Sequence, residues 1–123
     1  MIENLSGSAL GLVLRDLETL EMPHAKAVLK EAFRALALNG VIEFPILNFA
    51  WCVECYQVRM GTDERLSEIL CTPNRRSVWD EKTVVRALFE AGFYRIWTGR
   101  VPEYPEWMMY CKALKLDKTE LLS

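Results

Sequence analysis

A strand, a helix and a second strand follow one another within about 40 residues, and this succession does most to fix the fold. Ala9-Leu10-Gly11-Leu12-Val13-Leu14 is apolar on both faces, the pattern of a strand buried inside a parallel sheet. After a polar passage, apolar residues recur at Ala25, Val28, Leu29, Ala32, Phe33 and Leu36. Spacings of three and four make one face of a helix, with Lys26, Lys30, Glu31 and Arg34 on the other. Asn39-Gly40 tolerates the left-handed backbone that commonly ends helices, so the helix is expected to stop there. Residues 41–49, rich in β-branched and aromatic side chains, predict a second strand, with Pro45 removing one ladder donor. Strand, helix and strand at these distances predict a right-handed crossover and a parallel pair.

The remainder extends that sheet. Residues 50–77 carry mixed signals, with a short helix predicted over residues 63–70, where Leu66, Ile69 and Leu70 share a face before Pro73-Asn74. Asp80 is a helix N-cap, and Val84, Val85, Leu88 and Phe89 are predicted to face inward before Gly92 ends the helix. Phe93 can then fold back on Leu88. Residues 94–98 predict a third strand and residues 107–114 a fourth. Only eight residues separate them, including Pro102 and Pro105, too few for a helical crossover, so the last strand is expected to run antiparallel to the third. The expected fold is a single α/β domain over residues 1–123: a partial Rossmann-like mixed sheet of about four strands, three parallel and the last antiparallel, with flanking helices. Residues 1–8 and 116–123 are expected to fray.

Composition removes several functions. Fifteen Lys and Arg against 17 Asp and Glu give a net charge of -2, which offers no basic footprint for nucleic acid or a membrane surface. The longest apolar stretch, residues 41–53, is interrupted by Glu43, Pro45 and Asn48 and is too short to span a bilayer. The N-terminus lacks the pattern of a secretory signal, so a cytoplasmic location is expected. The only histidine is His24, which leaves no histidine cluster for a metal and one candidate base. Glycines at 7, 11, 40, 61, 92 and 99 form neither a G-x-G-x-x-G nor a phosphate-binding loop.

Two stretches carry a resemblance. Leu29-Lys30-Glu31-Ala32-Phe33-Arg34-Ala35-Leu36 followed by Asn39-Gly40-Val41-Ile42 is the first, and Trp79-Asp80 through Leu88 to Ala91-Gly92-Phe93 is the second. With the closing Tyr110-Cys111-Lys112, their order resembles the C-terminal half of class I S-adenosylmethionine-dependent methyltransferases of the small-molecule type 11 or 12 group. The resemblance covers roughly residues 9 to 115. It implies that the family's Gly-rich loop and ribose-binding acid would lie upstream of these elements. The family's Glu-His pair is replaced by a stretch containing Arg15, Asp16, Glu18 and Glu21, with Glu21 near the histidine position.

The resemblance implies a methyltransferase-like half domain, inactive alone or active only when assembled with a partner or second copy. S-adenosylmethionine would then be the cofactor of the assembled form only, with none expected for the isolated chain, because methyl transfer depends on aligning both reactants. Arg15 and Asp16 would face the methionine part, and Glu21 and Asn48 the methyl acceptor. Residues 9–14 read as a central strand left at an edge, so a homodimer or a partner chain is expected there.

Two other functional classes remain open at this point. Trp51-Cys52-Val53-Glu54-Cys55 after an apolar strand is the arrangement of a thioredoxin-like dithiol, with Cys52 and Cys55 as redox residues. The alternation Val53-Glu54, Tyr56-Gln57-Val58 continues a strand more readily than it starts a helix. Cys71 and Cys111 offer no second close pair, so no metal site is expected. The third class is a non-catalytic interaction module that recruits a partner through its apolar edge.

Overall fold

The computed structural model describes residue 7, residues 9–58 and residues 75–116. The helix expected over residues 63–70, and most of both termini, lie outside the described residues. The elements are β1 (Ala9–Val13), a 3-10 turn (Leu17–Thr19), α1 (Met22–Ala35), β2 (Leu36–Leu47), α2 (Phe49–Val58), α3 (Glu81–Ala91), β3 (Arg95–Gly99) and β4 (Met108–Leu114). The strands form one sheet in the order β1-β2-β4-β3.

β1 and β2 pair in parallel, whereas β4 is antiparallel to both β2 and β3. Three strands therefore share a direction and the last opposes them, as expected. The last strand does not extend the edge but inserts between β2 and β3, an order that local sequence leaves open.

α1 buries Ala25, Leu29, Ala32 and Ala35 at the expected spacing, with a proline in its first turn, where the missing N–H costs nothing. Its end differs from expectation: Leu36 is already extended, so the helix stops before Asn39-Gly40. Those two residues instead make an irregularity in β2, where Ala9 pairs with Leu36 but Gly11 with Val41. Asn39 has φ 66°, and a Cβ on Gly40 would lie 2.8 Å from the Ala37 carbonyl and 3.0 Å from that of Ala9. β4's end fastens the irregularity: Asn39 N donates to Lys115 O (2.6 Å), Lys115 N to Gly40 O (3.0 Å) and Lys115 Nζ to Leu36 O (2.8 Å).

Pro45 is tolerated for a positional reason. The Glu43 carbonyl faces β1 and accepts from Leu14 N (3.0 Å), so the N–H that Pro45 lacks would point the same way, beyond the end of β1. α3 follows its sequence signals at both ends. Asp80 Oδ1 accepts from Thr83 N (2.8 Å), Gly92 has φ 119°, and Phe93 N donates to Leu88 O (3.0 Å). The inward face is corrected: Val84, Ala87, Leu88 and Ala91 are buried, while Val85 and Phe89 are exposed. Successive helical residues turn by about 100°, so Val84 and Val85 cannot both face the sheet squarely.

Residues 51–58 are helical rather than strand-like, and β2 ends at Leu47 instead of residue 49. Asn48 makes the switch, its Oδ1 accepting from Ala50 N (3.1 Å) at the start of α2.

α1 and α3 pack on the same face of the sheet. On it Ile42, Phe44, Ile46, Cys111 and Ala113 are fully buried or nearly so, with Leu29, Leu88, Phe93 and Trp79 against them. The alternate residues point the other way. One cross-strand row on that second face is Val13, Glu43, Lys112 and Trp97; the next is Gly11, Val41, Leu114 and Arg95.

Candidate functional site at the carboxyl ends of β1 and β2

An open α/β sheet binds ligands beyond the carboxyl ends of its parallel strands, where backbone groups run out of ladder partners. In this chain, that end is built from the turn after β1, the residues after β2, and residues 75–80 leading into α3. Asp16 adopts a left-handed backbone (φ 57°), and its carbonyl accepts from Thr19 N (3.0 Å) and Thr19 Oγ1 (2.7 Å). This tight turn leaves the Arg15 and Asp16 side chains exposed at the end of β1.

Glu18 is the residue that joins the three segments. Its Oε2 accepts from Leu47 N (3.4 Å) at the end of β2, and its Oε1 lies 3.8 Å from the Arg75 guanidinium. Its carbonyl accepts from Arg76 N (2.7 Å) and Ser77 N (3.0 Å). Desolvation by burial raises its pKa, outweighing the Leu47 N–H and Arg75, which lower it. Buried Leu17 beside it holds the turn against the core.

The segment that Glu18 holds also braces β2. Phe49 N donates to Trp79 O (2.9 Å), and Asn48 N to Trp107 O (2.8 Å). Trp79 is fully buried and its indole N–H donates to Ser77 Oγ (2.8 Å). A small cavity of about 110 Å³ lies beside Asn48, Trp51, Glu81 and Arg100, and Thr98 Oγ1 donates to Glu81 there (3.1 Å).

Arg15, Asp16 and Asn48 therefore share one end of the sheet, with Glu18 between them. Glu21 stands exposed at the start of α1, its carbonyl accepting from Ala25 N (2.9 Å). Glu18 was visible in the sequence only as part of an acidic cluster; its signal is the pair of apolar residues around it, Leu17 and Leu20, that draw the turn inward. Cys52 lies in the first turn of α2, where a thiolate gains from the helix dipole, yet it is only 1% exposed, packed with Leu47 and near Trp51, Trp107 and Met108. Among the described residues no group of three or more His, Cys, Asp or Glu could hold a metal ion. No described helix is long and apolar enough to cross a membrane.

No protein-family model matches the chain, and no curated protein matches it significantly in sequence. Its backbone does match solved structures. A protein described as a possible exported protein from Bordetella parapertussis superposes with a TM-score of 0.70 at 14% identity, over 92% of this chain and 41% of the other. A S-adenosylmethionine-dependent methyltransferase from Archaeoglobus fulgidus gives 0.65 at 11% identity, over 93% and 63%. Phosphoethanolamine N-methyltransferase 2 of Haemonchus contortus, solved with S-adenosylmethionine, gives 0.63 at 10% identity, over 91% and 34%. The chain thus has the Rossmann-like α/β fold found in S-adenosylmethionine-dependent methyltransferases, and it spans less than two thirds of the length of each of these proteins.

The methionine part of that cofactor carries an ammonium and a carboxylate. Arg15 and Asp16, of opposite charge, stand exposed next to each other after β1.

Proposed function

We propose that the chain is a methyltransferase-like half domain that completes a S-adenosylmethionine site only when a further chain, a second copy or a partner, joins β1. One observation carries this reading. β1 has the sequence of an interior strand but forms the edge of the sheet, with Leu10 82% exposed and Val13 57% exposed. A strand added there would set its own carboxyl end beside Arg15 and Asp16, the position in which an open sheet holds a nucleotide.

In that assembly Asp16 takes the ammonium and Arg15 the carboxylate of the methionine part. The bound cofactor supplies an activated methyl group, and the chain's residues orient and position. Asn48 and Glu21 border the acceptor, and Glu18 fixes the turn that carries Asp16. Positioning is the main requirement of such a transfer, so half of the cradle gives little rate by itself.

Calorimetric titration of the isolated chain with S-adenosylhomocysteine tests the reading. No measurable heat of binding is expected; tight binding by a monomer would overturn the incomplete-site proposal. The buried thiol of Cys52 weighs against the dithiol alternative. Fast reaction of the folded chain with a disulfide reagent at neutral pH would restore that alternative.

A further inference from the structure

The surroundings of Lys112 are those that attract a positive charge. It stands midway along β4, between Glu43 of β2 and Trp97 of β3. Its Nζ lies 3.9 Å from the Glu43 carboxylate, 6.0 Å from the centre of the Trp97 ring and 5.9 Å from that of Tyr110. Gly99, which pairs with Tyr110, makes room for this: a Cβ there would come 2.5 Å from the indole. Aromatic rings and a carboxylate around one ammonium are the setting in which cation–π attraction operates.

The same features continue past Lys112. A hollow of about 340 Å³ lies beside Glu43, Glu103, Tyr104, Tyr110 and Lys112, between β4 and the connection from β3. Tyr104 stacks on Tyr110 there, with ring centres 5.7 Å apart. Two carboxylates against one ammonium leave the described lining with one negative charge in excess. Burial, then the hydrogen bond and charge of Glu43, with Tyr104 and Glu103, push the Tyr110 hydroxyl up to about 12. The two carboxylates act on it through a negative potential, which favours a cation in the same place.

Size and hydration select among cations. The hollow has the size of a small-molecule pocket and far exceeds a bare metal ion. A primary ammonium gives up strong hydration on entering, whereas a methylated one is weakly hydrated and suits aromatic walls.

We propose that this hollow binds a methylated ammonium group, with Tyr104 and Tyr110 as its aromatic walls and Glu103 and Glu43 as its counter-charges. Lys112 stands at the rim as a competing cation. The site uses neither β1 nor Arg15 and Asp16, so its test is independent of the methyltransferase reading.

Magnetic resonance titration of the full chain with choline, followed through the amide shifts, tests this against neohexyl alcohol, the uncharged carbon isostere of choline. Saturable shifts at Tyr104 and Tyr110 are expected, with the isostere bound about tenfold more weakly. Glu103→Gln and Tyr104→Leu should each weaken choline binding about fivefold, and Lys112→Met, which removes the competing charge, should strengthen it by about the same factor. Glu103 and Tyr104 are exposed, and the amide spectrum of each variant reports whether it keeps its fold. Absence of saturable shifts, equal binding of the two probes, an affinity unchanged by Glu103→Gln or Tyr104→Leu, or weaker binding by Lys112→Met would each overturn the proposal.

Discussion

The two faces of the sheet are made from alternate residues of the same four strands, yet they have different chemistry. Ile42, Phe44 and Ile46 on β2 meet Cys111 and Ala113 on β4 in a dry layer beneath α1 and α3. One residue along, Val41, Glu43, Lys112 and Trp97 stand at the surface. The difference teaches where stability and where recognition reside. Burial against two helices makes the first face the origin of the folding free energy, whereas the second holds surface that gains only when something covers it.

The comparison breaks if a truncation on each face has the same effect. Phe44→Ala is expected to lower stability by about 3–5 kcal/mol in urea denaturation, since the surrounding layer collapses only partly into the space. Trp97→Ser should stay within about 0.5 kcal/mol of the parent. Next in size is Ser77→Ala, expected to cost about 1–3 kcal/mol by leaving the buried Trp79 indole N–H without an acceptor. Asp80→Ala should cost about 1 kcal/mol through loss of the α3 cap, with a matching fall in helical circular dichroism. The smallest effect is expected for Glu31→Ala, which breaks the exposed Arg34 pair and should change stability by less than about 0.5 kcal/mol.

Proton linkage sharpens the contrast between protected and open groups. The Thr83 backbone N–H and hydroxyl lower the Asp80 pKa, so the stability it contributes is present above the unfolded value and lost as pH falls through the folded one. Glu18 has the opposite sign. Its burial raises the pKa above the ordinary carboxylate value of 4.5, so the folded state holds its proton longer, and stability from this group is lost as pH rises through the folded value. A Glu18→Gln variant should remove that loss, seen as a shallower decline in stability from acid toward neutral pH. Cys111 gives a chemical readout of the covered face: burial first, then Glu81, pushes its thiol up to about 12. It is expected to resist thiol reagents at pH 8 until the chain unfolds.

Much of this architecture was legible in the residues. The crossover from β1 through α1 to β2, the Asp80 cap, the Gly92-Phe93 stop and the antiparallel closing strand all follow from local chemistry: spacing, capping groups and connection length. Arg15 and Asp16 could likewise be assigned to a strand end, because the apolar run of β1 stops before them, whereas Asn48 lay inside the predicted second strand and the structure sets it just past the end of β2. Glu18 could not be singled out, since its partners, Leu47 and Arg75, lie 29 and 57 residues away in sequence and meet it only after β1 and β2 pair.

Spacing and composition alone determined the four strands and the helices α1 and α3, though not α2, and that most strands run one way. The tertiary structure decided that β4 lies between β2 and β3, that α1 ends at Ala35, and that Val85 and Phe89 face outward. It also turned Asn39-Gly40 from a helix stop into a strand irregularity held by Lys115. The physical reason is that periodicity is a local property of the chain, whereas pairing order and the facing of a helix depend on contacts between residues far apart in sequence. Those contacts exist only once the sheet has assembled.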